Sequence, residues 1–134
     1  MTIRPRIILE NNGLKVSINP IILKKGDRLE FEVWSNFTNS EFPVSKDFRL
    51  KWEIYFENGS PFRDSNFQEQ IGNFDFITES SESIFRFREL NHHAGIMELG
   101  KVEKKGEYKY GIKATNADNE DDELDDFDPL IIVL

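Results

Sequence analysis

Hydrophobic and polar residues alternate at every second position in four stretches of the chain. Their apolar members are Leu14, Val16 and Ile18; Leu29, Phe31 and Val33; Leu50, Trp52, Ile54 and Phe56; and Tyr108, Tyr110, Ile112 and Ala114. Successive side chains of a β-strand point to opposite faces, so each stretch predicts a strand with one buried and one exposed face. This pattern is typical of antiparallel sheets that are packed on one side.

Further strands follow from less regular patterns. Residues 6–10 predict an opening strand, and residues 83–90 carry Phe85 and Phe87 on one side and Arg86 and Arg88 on the other. Residues 130–134 are continuously apolar, so we expect that strand to be buried on both faces. No stretch has a sustained helical period, although a short helix or turn fits residues 67–74 and residues 92–99.

Turn-forming residues separate these strands, as in Asn11-Asn12-Gly13, Asn58-Gly59-Ser60-Pro61 and Asp128-Pro129. A chain of 134 residues is the size of one domain. About seven or eight short strands with turns between them are typical of a sandwich. The sequence therefore predicts a single all-β domain over residues 1–134, folded as an antiparallel two-sheet β-sandwich with Greek-key connections.

The composition excludes several kinds of chemistry. The chain has no Cys, which excludes disulfides, thiolate metal sites and cysteine nucleophiles. Its two His are the adjacent His92 and His93, which we expect to lie in an exposed loop. No pair of carboxylates is placed by the sequence in an apolar pocket, and no nucleophile motif is present. We therefore expect a protein that is not an enzyme.

The formal net charge is −8, and it comes from one segment. Residues Asp118–Asp128 hold eight acidic residues and no basic ones, while the rest of the chain has 17 of each sign. A protein that binds nucleic acid or an anionic membrane needs clustered Lys and Arg, so both partners are disfavoured. No apolar run is long enough to span a membrane. Residues 1–6 lack the apolar core of a signal peptide, which favours a cytoplasmic location.

The acidic segment 118–128 predicts a loop with three alternative roles. It is a solvated connection between strands, a calcium site, or a docking surface for a basic protein partner. The candidate calcium ligands are Asp118, Glu120, Asp122, Asp125 and Asp126. The segment does not match the EF-hand loop, because its sixth position is Glu123 and its twelfth is Pro129.

Aromatic residues also mark candidate surfaces. Phe62, Phe67, Phe74 and Phe76 lie in a polar stretch without clean alternation, which predicts a long irregular connection. These rings either bind a sugar or a protein partner, or fold back to cap one end of the sandwich. Trp34 is out of phase with the apolar positions of its strand, so we expect it to be more exposed than Trp52.

Three stretches resemble the cupredoxins, the blue-copper β-sandwich family. Residues 18–33 are similar to the family's opening pattern of a proline, a strand, a Lys-x-Gly-Asp turn and a second strand. Residues 106–112 are similar to the strand that leads into the copper-ligand loop, and residues 129–134 to the closing strand. The three stretches cover about a fifth of the chain, and the resemblance implies a sandwich scaffold.

The ligands of a blue-copper site are missing from these positions. Ile112 stands where the resemblance places the copper cysteine, and no His or Met follows it. A blue-copper site needs a thiolate and two imidazoles, so the resemblance implies the scaffold without copper or electron transfer. An immunoglobulin-like sandwich is the alternative, with Tyr108 of Gly106-x-Tyr108 as a tyrosine corner.

We therefore expect a non-catalytic binding or interaction module with a protein partner and no cofactor. The alternative is a calcium-dependent binding domain that uses segment 118–128, with carbohydrate as its ligand. If residues 130–134 form an edge strand, two copies can pair there into a homodimer; the alternative is an internal strand.

Overall fold

A computed structural model of the chain describes residues 1–10, 13–36, 48–57, 59–62, 67–71, 77–87 and 91–134. Within this part the chain forms twelve strands and no helix. The strands are β1 (Thr2–Ile3), β2 (Arg6–Glu10), β3 (Gly13–Val16), β4 (Ile21–Leu23), β5 (Arg28–Asn36), β6 (Phe48–Glu57), β7 (Gln68–Ile71), β8 (Ile77–Phe87), β9 (Asn91–Lys101), β10 (Gly106–Asn116), β11 (Asn119–Phe127) and β12 (Leu130–Val133). The all-β prediction is confirmed.

Two segments differ from the expected helix or turn. Gln68–Ile71 pairs with β8 and Asn91–Lys101 pairs with β5 along its whole length, so both are strands. In β9 the two bulges lie beside Gly95 and Gly100, and these bulges break the alternation that would have predicted a strand.

The first sheet has the order β3–β2–β5–β9, with β1 beside β5 on the same side as β2. The second sheet has the order β4–β12–β10–β6–β8–β7, and β11 lies on the same side of β10 as β12. Strands β11 and β12 follow each other along one edge of β10, with Asp128 and Pro129 between them. The backbone N–H of Tyr110 donates to the carbonyl of Pro129 at 3.1 Å at this break.

The sheets are mixed, so the prediction of purely antiparallel pairing is wrong. Strands β1 and β2 both run parallel to β5, and β4 runs parallel to β12. The parallel pairs arise because the chain leaves the first sheet after β3 and places β4 in the second sheet before it returns as β5. Parallel neighbours need such a crossover, and a local hydrophobic pattern does not encode it.

The core lies between the two sheets and contains the apolar positions of all four regular stretches except Ile18 and Tyr108. Trp52, Tyr110 and Phe31 are its largest fully buried side chains, and Ile112 is 0 % exposed. Burying one such side chain contributes roughly 1.5–3 kcal/mol. The alternation in the sequence therefore identified the inner faces of the main strands.

The last strand is internal. Leu130–Val133 pairs with β10 on one side and with β4 on the other. Its inner positions Ile131 and Val133 are buried, whereas Leu130 and Ile132 are half-buried on the outer face. Of the two alternatives for residues 130–134, the structure has the internal strand, and that strand presents no free edge for pairing with a second copy.

The connection before β10 contains the hydrogen bond of a tyrosine corner. The Tyr108 hydroxyl donates to the carbonyl of Lys104 at 3.1 Å. Such a bond ties a strand to the backbone a few residues upstream at a corner between the sheets. The described part of the chain contains no helix that is long and apolar enough to cross a membrane.

Candidate functional site

The position that corresponds to the copper cysteine is part of the core. Ile112 is fully buried between Ile54 of β6 and Phe127 of β11, its neighbours in the register. In the described part of the chain, no three His, Asp or Glu side chains come together in a way that could hold a metal ion. The inner side of the sandwich at this position therefore offers apolar packing.

The acidic segment does not form the loop that we expected. Residues Asn119–Phe127 form β11, which pairs antiparallel with Ile112–Asn116 of β10. Like charges along the segment oppose folding, but the backbone hydrogen bonds to β10 and the half-buried Phe127 hold it against the sandwich. The register places Asp126 opposite Lys113, and Glu53 faces Lys113 from the other side.

The candidate calcium ligands fall into two groups. Asp118 is exposed, accepts a hydrogen bond from the Arg49 guanidinium and forms an ion pair with it. For Glu120, Asp122, Asp125 and Asp126 the structure describes the place in β11 and not the side chains. Calcium binding at this segment stays a prediction.

Two of the four candidate aromatic residues lie against the core. Phe62 is 4 % exposed and stacks on Phe67 with ring centroids 5.2 Å apart, and both rings meet Phe56 edge-on. This arrangement is that of a segment folded back onto the sandwich, and it leaves little of Phe62 for a partner. Phe74 and Phe76 lie outside the described residues.

An aromatic cluster on the outer face of the first sheet involves His93, which lies on β9 and not in the expected loop. Trp34 stacks on His93 with ring centroids 4.8 Å apart. The Arg6 guanidinium lies 4.7 Å from the centre of the Trp34 ring. Arg6 also pairs with Glu32 at 3.1 Å. Because β2 and β9 flank β5 on opposite sides, the half-buried Trp34 ring is held between the Arg6 guanidinium and the His93 ring and does not offer an open face.

A second aromatic residue marks the outer face of the second sheet. Tyr55 of β6 lies opposite Gly111 of β10, and its ring crosses the place where a Cβ of residue 111 would be. A glycine in the interior of a strand is typical of a position that something approaches closely. Here the close neighbour is the Tyr55 ring, which lies directly on the backbone.

A cleft of about 300 Å³ opens beside this ring. It is formed at the break between β11 and β12, where the sheet next to Gly111 is interrupted. Its side-chain groups are the half-buried Tyr55 and Leu130 and the exposed Glu57, Lys109 and Asp128. The Tyr55 hydroxyl donates to Oδ1 of Asp128 at 3.5 Å, a long hydrogen bond.

The sequence pattern did not indicate this cleft. Tyr55 is the polar-side member of an alternating strand, and Gly111 looks like an ordinary small residue. The signal is the cross-strand pair itself, an aromatic residue opposite a glycine. It becomes visible only once the register of β6 and β10 is known.

A wider cleft of about 450 Å³ lies at one end of the sandwich, between the β4–β5 turn and the end of β9. The backbone N–H of Gly26 donates to the carbonyl of Val102 at 2.8 Å and joins the two segments. The charged groups in its lining are Lys25, Lys101 and Glu103. Its described lining residues include no aromatic side chain, so they provide no stacking surface.

Burial affects one ionisable group in the core. The Tyr110 ring packs against Phe31 and Phe56, and burial raises the pKa of its phenol well above the usual value. Among the described atoms, its hydroxyl has no hydrogen-bond partner. The raised pKa is therefore a consequence of the apolar core and not of a charged partner.

No protein-family model matches the chain, and no curated protein matches it. Among solved structures, a multicopper oxidase is 9% identical with a TM-score of 0.41; the match covers 99% of this chain and 44% of the oxidase. A multi-copper oxidase from Pseudomonas thermotolerans is 9% identical with a TM-score of 0.29, covering 100% of this chain and 29% of that one. The chain thus spans less than half the length of either oxidase.

A third solved structure is similar over nearly its whole length. The cysteine protease inhibitor EhICP2 from Entamoeba histolytica is 13% identical with a TM-score of 0.41, and the match covers 98% of this chain and 97% of the inhibitor. At these values the likenesses assign the chain to no family. The architecture is therefore described from the strands alone, as an all-β fold of two sheets.

Proposed function

We propose that the chain is a non-catalytic binding module on a cupredoxin-like sandwich without copper, and that it binds a basic protein partner through β11. The scaffold is supported by the buried Ile112 at the position of the copper cysteine and by the strand that begins at Gly106. The absence of catalysis is proposed because the sequence carries no nucleophile motif and the described lining residues of the two clefts include no Ser, Cys or His.

The observation that carries the proposal is the placement of the acidic segment on an exterior strand. Asn119–Phe127 pairs on one side with β10, and in the described part of the chain no strand is hydrogen-bonded to its other side, although β3 of the first sheet lies next to it. An unpaired strand edge offers backbone N–H and C=O groups to an extended partner segment. The strand Asn119–Phe127 itself carries six of the eight acidic residues of segment 118–128.

Charge decides which partner fits this edge. Two unit charges 4 Å apart interact by about 1 kcal/mol in water, so a run of like charges is unfavourable until cations or basic groups approach it. A partner segment rich in Lys or Arg relieves this repulsion while its backbone pairs with β11. Binding of this kind is fast at low salt and weakens as salt increases.

The test uses a lysine- and arginine-rich ten-residue peptide as the probe, with a Glu- and Asp-rich peptide as the negative control. We expect the basic peptide to bind and the affinity to fall about tenfold or more between low and physiological salt. The test variant replaces Asp121, Asp122, Asp125 and Asp126 by Asn, and it should lose most of the binding.

A matched control variant removes the same number of charges elsewhere. It replaces four exposed carboxylates outside β11 by Gln: Glu69, Glu82, Glu98 and Glu107. We expect this variant to keep the affinity of the original chain within about twofold, because distant exposed charges are largely screened. Equal losses in the two variants would mean that the peptide responds to net charge alone, and the proposal would be wrong.

Calcium at segment 118–128 is tested by thermal unfolding. A cation that binds only the folded chain raises the melting temperature. The calcium alternative predicts a larger rise with millimolar calcium than with sodium chloride of the same ionic strength. If calcium and sodium chloride raise the melting temperature equally, the calcium site is contradicted, and screening of the charges on β11 explains the increase.

A further inference from the structure

We propose that the cleft beside Tyr55 binds a carbohydrate, with a sugar ring packed against the exposed part of the Tyr55 ring. The cleft lies on the outer face of the second sheet at the break between β11 and β12. Asp128, the last residue of the acidic segment, lines this cleft, but no described lining residue belongs to β11, so sugar binding is tested independently of the binding to a basic protein.

The Tyr55 ring is suited to be a platform because its position is fixed. The backbone at Gly111 lies directly beneath it, and no side chain separates the ring from the sheet. A rigid aromatic ring supplies contact area at a small cost in conformational entropy. The apolar C–H face of a sugar packs well on such a ring, and the half-buried Leu130 extends the apolar surface.

The rim of the cleft supplies hydrogen-bonding groups of both kinds. The carboxylates of Glu57 and Asp128 accept hydrogen bonds, and the ammonium of Lys109 donates them. Sugar hydroxyls do both, so neighbouring hydroxyls can donate to a carboxylate and accept from the ammonium. The long bond from the Tyr55 hydroxyl leaves Asp128 with lone pairs for a ligand.

The charges favour a neutral polyol over an organic cation. An aromatic ring with two carboxylates, without a nearby cation, would attract an ammonium ligand. Lys109 lies in the same lining and repels a second cation. One half-buried ring in the described lining also differs from the cage of several rings that holds a quaternary ammonium group.

The experiment measures binding to soluble tetrasaccharides of glucose, xylose, mannose and N-acetylglucosamine by titration calorimetry and saturation-transfer NMR. A shallow site with one stacking ring should give a Kd on the order of 1 mM for at least one sugar. Tyr55→Ala should weaken binding about tenfold or more, and Tyr55→Phe should retain it, because the ring face makes the contact.

Two controls separate the site from general effects. Trp34→Ala removes a half-buried aromatic residue from the opposite outer face and should leave sugar binding unchanged. Melting curves of Tyr55→Ala and Tyr55→Phe show that both variants fold. The proposal is overturned if no sugar binds at about 10 mM, tenfold above the expected Kd, if Tyr55→Ala binds as well as the original chain, or if tetramethylammonium binds in place of sugars.

Discussion

Trp34 and Tyr55 are half-buried aromatic residues on opposite outer faces of the sandwich, and the two residues are held in different ways. Trp34 on the first sheet is held between Arg6 and His93, so its ring faces are used by the protein itself. Tyr55 on the second sheet rests on the backbone at Gly111 and lines a cleft with the rest of its ring. Exposure alone therefore does not identify a binding residue; the neighbours on each ring face decide it.

The largest expected effect comes from placing a side chain under Tyr55. Gly111→Ala puts a methyl group where the ring lies and should cost roughly 1–3 kcal/mol of unfolding free energy. In a Tyr55→Ala background the same change should cost little, because the space is then free. A double-mutant cycle by denaturant unfolding measures the difference. An equal cost in both backgrounds would show that the ring does not rest on Gly111.

A smaller effect is expected on the other face. Trp34→Ala removes the contacts with both His93 and Arg6, each of which should contribute about 0.5–1 kcal/mol. A cycle of Trp34→Ala with His93→Ala, and a second with Arg6→Ala, isolates the two contacts. Coupling close to zero in both cycles would mean that the Trp34 ring is open, and the contrast with Tyr55 would disappear.

The third prediction concerns Tyr110, which precedes Gly111 on β10 and faces inward. Its hydroxyl is buried without a partner among the described atoms, so Tyr110→Phe should raise the unfolding free energy by about 1 kcal/mol. The same change at Tyr55, whose hydroxyl is near water and Asp128, should have a smaller effect. A loss of stability on Tyr110→Phe would reveal a partner for the hydroxyl.

The pH dependence of Tyr110 gives a second measurement of the same group. Burial raises the pKa of its phenol in the folded chain, whereas the unfolded chain releases that proton near pH 10. The folded state then holds more protons than the unfolded state above pH 10, so stability is complete below that pH and falls as pH rises further. Unfolding of Tyr110→Phe should show a shallower loss over this range.

Much of the fold could be predicted from single-strand patterns. Alternation at 29–33, 50–56 and 110–114 identified the buried positions, because a two-residue period gives one inner face whatever the strand pairs with. Strands β9 and β11 were missed for two reasons. Bulges interrupt the alternation of β9, and the acidic run of β11 looks like a solvated loop until β10 supplies a pairing edge.

The candidate surfaces were less predictable because they depend on pairs that are distant along the chain. Trp34 meets His93 and Tyr55 meets Gly111 only through the registers of β5 with β9 and of β6 with β10. A local pattern identifies the strand but not the neighbour across it. The expectation of a scaffold without a copper site did not depend on knowing which strands pair, because Ile112 and the absence of Cys are visible in the sequence itself.

The central claim, that β11 is the surface for a basic partner, is tested most directly by residue-resolved NMR. A titration of the ¹⁵N-labelled chain with the Lys- and Arg-rich peptide follows every backbone amide. The account predicts that the largest shifts lie in Asn119–Phe127 and in the paired Ile112–Asn116. Shifts centred on the Trp34 face or on the Lys25 and Lys101 cleft, or no shifts at low salt, would contradict it.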